Sequence, residues 1–456
     1  MKPANIAKRF SNFTVCCFLL FGLFTYAQET STISGFVRED ASGEPISYAN
    51  VFLAETFLGA ATNNGGYFVI TKIPSGQYEI NASMIGFGVF KKQINITDGE
   101  MIRLDIRLTE QAIETSEILV TAERQKFEKS MESSQISLDL REINSAPAFV
   151  EPDVFRTLQM LPGVQTTSDF SSALYVRGST PDQNLILLDG MPLYQTGHLF
   201  GFVSGVNANA IKDVQVYKGG FPAQYGGRIS SVIELTSRNG NSLKPHGSIY
   251  GNLMSQGVSG EIPILSRGSW IFNLRSSTTS TFQTELYESI QAYVTGDDNF
   301  NLIGESADTT KDQGATYFPQ FSYLDFTNRF SFMLTPNHRL TLTNTTGLDS
   351  IRESREFFGF PNNIIGYDSS YTQGCTLWKN RGTTFNVSSK WNHESDTQIT
   401  LSNYDYSSSY DSDNSAYVNQ ARMVIGSVHE ENTLHDRSLK FHHRYMGFEN
   451  HKFESG

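Results

Sequence analysis

The hydrophobic pattern of the chain first changes at about residue 28. Residues 13–24 form a mostly apolar run of a dozen positions, and three basic residues precede it. This run is shorter than the ~18 apolar residues that a spanning helix needs. The pattern is typical of a secretory signal peptide over residues 1–27, with the mature chain beginning near Gln28.

Residues 28–109 alternate apolar and polar positions in short stretches. Six stretches of strand-forming residues recur at regular spacing, and two turn signals, at 64–66 and 74–76, are rich in Gly, Asn, Pro and Ser. Several short strands separated by such turns are typical of an all-β sandwich. The pattern predicts a seven-stranded β-sandwich.

Residues 110–150 predict a polar linker of mixed charge. One short apolar stretch, residues 118–120, interrupts it, and nothing nearby in the sequence would bury that stretch. The next domain is predicted to begin at 151, with a start as early as residue 125.

Residues 151–239 mix helical and strand periods. Val154, Leu158 and Leu161 recur at helical spacing, and Pro162-Gly163 ends the turn. Strand patterns follow, of which NLILLDG is apolar enough for burial on both faces. Nine glycines between residues 178 and 227 indicate sharp turns. The pattern predicts a small α/β domain, and Asp189-Gly190 in it is typical of a turn rather than of a catalytic group.

Beyond residue 240 the pattern becomes one of hairpins. YLDFTNRFSFML places its apolar residues on one strand face, and a short turn at 336–338 follows. Similar short turns recur near 266–268, 393–396 and 449–451, while polar loops are predicted at 279–320 and 405–433. Short turns at one end and long loops at the other are typical of an outer-membrane β-barrel. About seven strands are predicted.

Composition supports this interpretation. Aromatic residues make up 12% of the chain and charged residues only 18%, a mixture that suits an apolar exterior and a polar lumen. The formal charge of −12 argues against a nucleic-acid partner. Cys375 is the only cysteine after the predicted signal peptide, so stability does not depend on an intrachain disulfide.

Two groups of motifs resemble known families. One group resembles the plug domain of TonB-dependent outer-membrane receptors; it comprises LPGV (161–164), YVRGS (175–179), NLILLDGMPLY (184–194) and the stretch 211–238. The other resembles the carboxypeptidase regulatory-like domain of Bacteroidetes-type receptors; it comprises ISGFVRED (33–40), GEPISYANVFL (43–53) and TNNGGYFVITKIPSGQYEI (62–80). The second resemblance implies an accessory β-domain and no peptidase activity.

The resemblance implies a multidomain, mainly β protein. Its plug would close a barrel of about 22 strands, so a chain with about seven is expected to be an N-terminal fragment. The expected order is signal peptide (1–27), β-sandwich (28–109), linker (110–150), plug (151–239) and partial barrel (240–456).

The resemblance also implies site residues. Residues 117–122 resemble the TonB box, which would pair as an added strand with the periplasmic energy-transducing TonB protein; the alternative is that they form the first plug strand. The segment consists of Glu117, Ile118, Leu119, Val120, Thr121 and Ala122. Arg177 and Arg228 are expected to pair with carboxylates of the barrel wall or, equally, to make contacts within the plug. The expected plug turn glycines are Gly178, Gly190, Gly219, Gly220, Gly226 and Gly227.

Three function classes follow from these expectations. The first is energised import of a scarce nutrient such as a siderophore, glycan or peptide, and the second is surface binding with signalling but without transport. The third is an enzyme, which no motif supports. No cofactor is expected. The expected partners are the TonB protein, outer-membrane lipid, an extracellular ligand and a surface lipoprotein. The expected location is the outer membrane, with the N-terminal domain in the periplasm.

Overall fold

The computed structural model describes residues 31–84, 86–111, 135–148, 150–166, 171–198, 201–222, 224–279, 282, 284–295, 314–358, 369–392, 394–418, 421–448 and 451–456. The predicted signal peptide and the segment 117–122 lie outside the described residues. No helix among the described residues is long and apolar enough to cross a membrane.

The first domain, here called the sandwich (31–111), consists of two four-stranded sheets, ordered β4-β1-β7 with β8 also on β1, and β3-β2-β5-β6. Its strands are β1 (Ser31–Glu39), β2 (Asn50–Leu53), β3 (Gly59–Ala61), β4 (Tyr67–Ile73), β5 (Gly76–Ser83), β6 (Phe90–Ile96), β7 (Met101–Arg103) and β8 (Ile106–Leu108). β7 and β8 both run parallel to β1 at successive positions, so they form one strand interrupted at 104–105. This gives the seven strands predicted. Between the sheets lie Ile33, Leu53, Phe68 and Ile80, all fully buried.

The second domain, here called the α/β domain (135–237), is built on a five-stranded sheet of order β13-β12-β17-β16-β9. Its main elements are β9 (Gln135–Asp139), α1 (Leu140–Ser145), α2 (Val154–Gln159), β12 (Asn184–Leu188), β13 (Met191–Pro192), β16 (Ile211–Tyr217) and β17 (Ser231–Ser237). Shorter strands are β10 (Val164–Gln165), β11 (Tyr175–Val176), β14 (Gly197–His198) and β15 (Val203–Ser204). The Asp153 carboxylate caps α2 by accepting the Arg156 N–H at 3.0 Å. One face of the sheet packs with both helices around a core that includes Phe155, Val214 and Leu235.

The α/β domain begins before residue 151, inside the range opened by the alternative start near residue 125. β9 pairs with β16 along five residue positions, from Gln135 opposite Tyr217 to Asp139 opposite Asp213. Leu138 of β9 is buried in the domain core. The predicted linker therefore contains an edge strand, whose short apolar alternation is difficult to recognise beside the charged residues around it.

The third unit, here called the large sheet (246–455), has nine described strands that pair antiparallel in sequence order. Its elements are β18 (His246–Gly251), β19 (Ser255–Ile264), β20 (Gly268–Ser277), α3 (Glu285–Thr295), β21 (Gly314–Thr335), β22 (His338–Phe358), β23 (Ser369–Lys390), β24 (Ser395–Val418), β25 (Ala421–Phe448) and β26 (His451–Ser455). The estimate of seven strands was too low. It missed β18, which is rich in Gly and Ser, and β26, which has only five residues.

The two polar loops predicted in this unit, 279–320 and 405–433, also differ from the observed structure. Most of 405–433 lies in β24 and β25. Backbone groups form the hydrogen bonds of a strand ladder, so a strand can carry polar side chains on both faces where both are exposed to solvent. Polar pairs even bridge the strands, as when Thr372 donates to Asn414 at 2.7 Å. The described part of 279–320 includes α3, whose Tyr287 and Ile290 are buried against the inner face of the sheet.

The two faces of the large sheet differ in polarity. On β21, Leu324, Phe330 and Leu334 are exposed on the outer face, and Trp270 of β20 stacks on Phe330 with ring centres 5.4 Å apart. Asp325 and its inward-facing neighbours are buried under the α/β domain. The ten steps from residue 324 to residue 334, at about 3.3 Å each and with the usual strand tilt, span about 25 Å, the height of the apolar band of an outer-membrane barrel.

Candidate functional site

The candidate site is the polar interface between the α/β domain and the inner face of the large sheet. The two units share no strand pairing in the described ranges. Side chains join them instead, in two clusters that we call the histidine cluster (Glu151, His198, Arg275, Asp325, Asp349) and the aspartate cluster (Asp189, Asn239, Arg329, Thr343).

His198 lies at the centre of the histidine cluster. β14 places its imidazole between two carboxylates of the large sheet, with Nδ1 2.6 Å from Asp349 Oδ1 and Nε2 3.0 Å from Asp325 Oδ2. The side chain is 1% exposed, and its ring stacks on Tyr323 with ring centres 4.5 Å apart. Since a carboxylate only accepts hydrogen bonds, both ring nitrogens must donate, which requires the imidazolium form.

The electrostatics of the cluster agree with a charged histidine. Burial by itself would lower the pKa of His198, but the carboxylates of Asp325 and Asp349 outweigh burial and raise the pKa to about 9. His198 is therefore a cation at neutral pH. It joins the α/β domain to β21 and β22, two neighbouring strands of the large sheet, whose strands we also call the wall.

Arg275 of β20 extends the cluster in the opposite direction. Its guanidinium donates to Asp325 from Nε at 3.0 Å and also to Glu151, just before α2. Nη2 donates to the carbonyl of Ser204 at 2.7 Å. Asp325 thus holds two cations, one from each side of the interface, and all five members form one continuous path.

Amide groups continue this path toward β23 and β24. Gln195 donates to Asp349 at 2.5 Å and accepts from Asn380 at 2.9 Å. The Tyr404 hydroxyl donates to Asn380 at 3.0 Å, while its ring enters the core of the α/β domain beside Met191. Tyr404 is a buried member of that core, and Tyr406 of the same strand packs against it.

The aspartate cluster is built on the turn between β12 and β13. Asp189 and Gly190 both have positive φ, 51° and 84°, as a two-residue type I′ hairpin requires. This geometry agrees with the expected turn. The Asp189 carboxylate also forms an ion pair with Arg329 at 2.5 Å and accepts from Thr343 at 2.9 Å and from the Ser237 N–H at 3.0 Å.

Burial alone would raise the pKa of Asp189, but the Arg329 guanidinium outweighs burial and, with the hydrogen bonds from Ser237, holds the pKa below its ordinary value. Arg329 is also fixed by Asn239, whose Oδ1 accepts from Nε at 3.1 Å. Nearby, Lys440 Nζ donates to the Gly190 carbonyl at 2.6 Å. The turn therefore reverses the backbone and also contacts the large sheet.

The arginines singled out from the sequence lie elsewhere. The Arg177 backbone N–H donates to the Gly163 carbonyl at 2.9 Å, and its side chain lies against Gly219. Arg228 donates to the Gly227 carbonyl at 2.7 Å. Within the described residues, neither guanidinium contacts a carboxylate of the large sheet. Of the two alternatives expected from the sequence, the described contacts are of the kind made within the same domain.

The described ion pairs across the interface run in both senses: His198 of the α/β domain pairs with two carboxylates of the large sheet, and two arginines of the large sheet pair with carboxylates of the α/β domain. Arg275 and Arg329 come from the wall, and their partners in the α/β domain are Glu151 and Asp189. Sequence reasoning missed these residues and His198, because no local pattern distinguishes them. Five of the six expected turn glycines have positive φ, with Gly226 as the exception.

The arrangement suits mechanical holding rather than chemistry. Buried charges at both clusters are paired and hydrogen-bonded, which is the condition for a stable buried ion pair. Among the described residues, no three His, Cys, Asp or Glu side chains converge as metal ligands would.

Comparisons with known proteins agree with the architecture. Residues 33–120 match the CarboxypepD_reg-like domain family, and residues 140–232 match the TonB-dependent Receptor Plug Domain family. The second match covers most of the α/β domain and the first covers the sandwich.

Two curated proteins show sequence similarity. The chain is 24% identical over 263 residues to the TonB-dependent transporter Oar of Myxococcus xanthus, covering 54% of this chain and 24% of that protein. It is 25% identical over 182 residues to the ferric enterobactin receptor of Pseudomonas aeruginosa, covering 36% of this chain and 24% of that protein. The chain thus matches about a quarter of the length of each relative.

A solved structure of the RagAB peptide importer aligns with 69% of this chain and 53% of its own chain, at 10% identity and a TM-score of 0.44.

Proposed function

We propose, from the premise that this chain is a TonB-dependent outer-membrane receptor, that it imports a scarce nutrient by energy-coupled movement of its α/β domain. The family acts in transport and reception rather than in catalysis. The α/β domain takes the place of the plug, and the large sheet takes the place of the barrel wall.

The observation that carries this proposal is how the α/β domain is held. Its described contacts with the large sheet are side-chain contacts: ion pairs and hydrogen bonds at the histidine and aspartate clusters, and apolar packing at Phe202 and Tyr404. No strand of the α/β domain pairs with a strand of the large sheet in the described ranges. A domain held in this way can leave its position without breaking the ladder of the large sheet.

The energy would enter through residues 117–122. We propose that this segment pairs as an added strand with the periplasmic TonB protein, through main-chain hydrogen bonds. The segment precedes β9, the edge strand of the α/β domain, whose one partner among the described strands is β16. A pull on the segment would therefore act first on an element with a single neighbour.

The other partners follow from the same proposal. Outer-membrane lipid would contact the apolar outer face of the large sheet. An extracellular ligand would bind at the end away from the short turns, and a surface lipoprotein is a further candidate partner. The sandwich would lie in the periplasm.

The test uses the full-length protein with proline at Leu119 or at Val120, each compared with Leu119→Ala as the matched control. Proline removes a backbone donor and fixes φ, so it should disrupt strand pairing more than loss of a side chain does. Energised uptake should fall to background in both proline variants and remain substantial in Leu119→Ala.

Uptake would be measured with three probes: ⁵⁵Fe-enterobactin, a labelled tryptic peptide digest and labelled maltodextrin. Surface abundance would be matched by immunoblot, and binding to whole cells measured in parallel. Uptake that persists in both proline variants would contradict the role proposed for the segment. Binding without uptake in the wild type would favour the second candidate, a surface receptor that signals without transport.

A further inference from the structure

The sandwich is seated on the short segment that joins the α/β domain to the large sheet, residues 238–245. Its loop 42–48 makes the main contact. Glu44 is buried there, and its Oε1 accepts the backbone N–H of Asn239 at 2.8 Å. The Ser42 carbonyl accepts both the N–H and the hydroxyl of Ser242, at 3.1 and 3.2 Å.

The same segment also contacts the wall. Arg238 donates to Glu261 of β19 at 2.8 Å, and the Asn241 N–H donates to the other oxygen of that carboxylate at 2.7 Å. Asn239 accepts from Arg329 of the aspartate cluster. Glu44 is therefore separated from the Asp189–Arg329 ion pair by a single residue, Asn239.

A second loop of the sandwich completes the seat. The Asn64 carbonyl accepts from Lys212 of β16 at 3.4 Å. Arg38 Nη2 lies 3.5 Å from the sulfur of Met333, close to the short turn at 336–337. Short turns lie on the periplasmic side of outer-membrane barrels. The sandwich thus bridges the α/β domain and the periplasmic rim of the wall.

Between the three units lies a cavity of about 830 Å³. Its lining includes Tyr48 of the sandwich, Glu234 and Tyr217 of the α/β domain, and Lys440 of the wall. The sandwich therefore lies across the cavity from the face of the α/β sheet that carries Glu234 and Tyr217. The described contacts of its seat are mainly hydrogen bonds, together with Arg38 at the sulfur of Met333 and Lys390 Nζ 5.5 Å from the centre of the Phe36 ring.

We propose that the sandwich is a separable cap, which closes the periplasmic side of this cavity at rest and must leave its seat before the α/β domain can move. Polar interdomain interfaces of this kind separate more readily than apolar ones. The seat ties together the two units that transport would separate, so it opposes their separation for as long as it is occupied. The requirement for movement depends on the proposed function, whereas the separable seat does not.

The first experiment measures the seat without any ligand. In full-length protein with Cys375→Ser, the reaction of Ser242→Cys with a membrane-impermeant maleimide reports opening of the seat, and Lys244→Cys, exposed in the same segment, is the reference. Ser242→Cys should react slowly. Adding Glu44→Ala should raise its rate about tenfold, the expected effect of losing a charge-assisted hydrogen bond.

Glu44→Gln is the conservative control, because its amide oxygen still accepts the Asn239 N–H; it should remain close to wild type. If the Glu44–Asn239 hydrogen bond does not hold the seat closed, Glu44→Ala will leave the maleimide reaction rate of Ser242→Cys unchanged. That outcome would overturn the proposal. Equal rates for Ser242→Cys and Lys244→Cys in the wild-type background would also overturn it.

The second experiment locks the seat. A Cβ at Gly43 would lie 2.8 Å from the Ser242 side-chain oxygen, so Gly43→Cys with Ser242→Cys should form a disulfide. The oxidised protein should bind but not import whichever of the three uptake probes wild type imports, and reduction should restore import. The single Gly43→Cys variant controls for strain at a residue with φ of 69°.

Import that continues through the oxidised, fully cross-linked protein would show that the cap need not leave. If wild type imports none of the three probes, the transport proposal fails by itself, and the maleimide rates still decide whether the seat is separable.

Discussion

Replacing His198 with Gln should make the seating of the α/β domain independent of pH. The pKa of the buried imidazole is about 9, against an ordinary value of 6.5 for a histidine that has left the cluster. This difference corresponds to about 3 kcal/mol, or roughly 300-fold in the equilibrium between seated and displaced domain. About a hundredfold of this is lost between pH 6.5 and 9.5, because the displaced histidine is already half-deprotonated at pH 6.5. The side chain is 1% exposed, so solvent screening does not reduce this figure appreciably.

The direction of the pH effect follows from the pH at which His198 loses its proton in the seated state and in the displaced state. Below pH 6.5 both states carry the proton, and the imidazolium contributes its full stabilisation. Between pH 6.5 and 9 the displaced state loses the proton while the seated state keeps it, so the stabilisation falls as pH rises. Above pH 9 the contribution is lost. Wild type should therefore hold its α/β domain less firmly at pH 9.5 than at pH 6.5.

The assay is hydrogen exchange, read by mass spectrometry, of peptides covering 197–217 in full-length protein in micelles. After correction for intrinsic exchange rates, wild-type protection should fall about a hundredfold from pH 6.5 to 9.5. His198→Gln should start low and change little. His435→Gln, at an exposed histidine paired with Asp405, is the matched control and should behave as wild type. An equal pH dependence in wild type and His198→Gln would refute the reasoning.

Three further predictions concern other contacts of the α/β domain, each measured by the same exchange assay at pH 7. Arg329→Ala should destabilise seating by about 3 to 5 kcal/mol, because it leaves Asp189 buried and unpaired. The double variant with Asp189→Asn should cost less than the single, and strict additivity would contradict the ion-pair argument. Gly190→Ala should cost about 1 to 2 kcal/mol, since it forces a side chain into the left-handed region; an unchanged protection of the β12–β13 turn would contradict this. Arg177→Ala and Arg228→Ala should each change the free energy of seating by less than about 0.5 kcal/mol. A larger loss would indicate that these arginines contact the large sheet after all.

The local sequence determined most of the elements, because their signals repeat over short distances. The outward apolar positions of β21 follow from simple alternation across a strand, and they match the exposed outer face. The helix after Asp153 has both its cap and its apolar spacing in the sequence. Where that repetition was weak, as in β9 and β18, the strands were missed.

The length of the strands beyond the apolar band could not be predicted in the same way. The polar stretch 405–433 has the composition of a loop, and only pairing with neighbouring strands keeps it extended. Backbone hydrogen bonds set that pairing, and side-chain composition is a poor guide to it when both faces are polar.

The candidate site was decided by tertiary structure alone. His198 and Asp349 are 151 positions apart, and His198 and Asp325 are 127 apart. In the sequence, His198 is a single histidine in a glycine-rich stretch, and the two aspartates are ordinary inward positions of long strands. They become one cluster only because the large sheet packs against the α/β domain and excludes water from their contact. That burial makes the charges strong enough to matter, and no local pattern in the sequence encodes it.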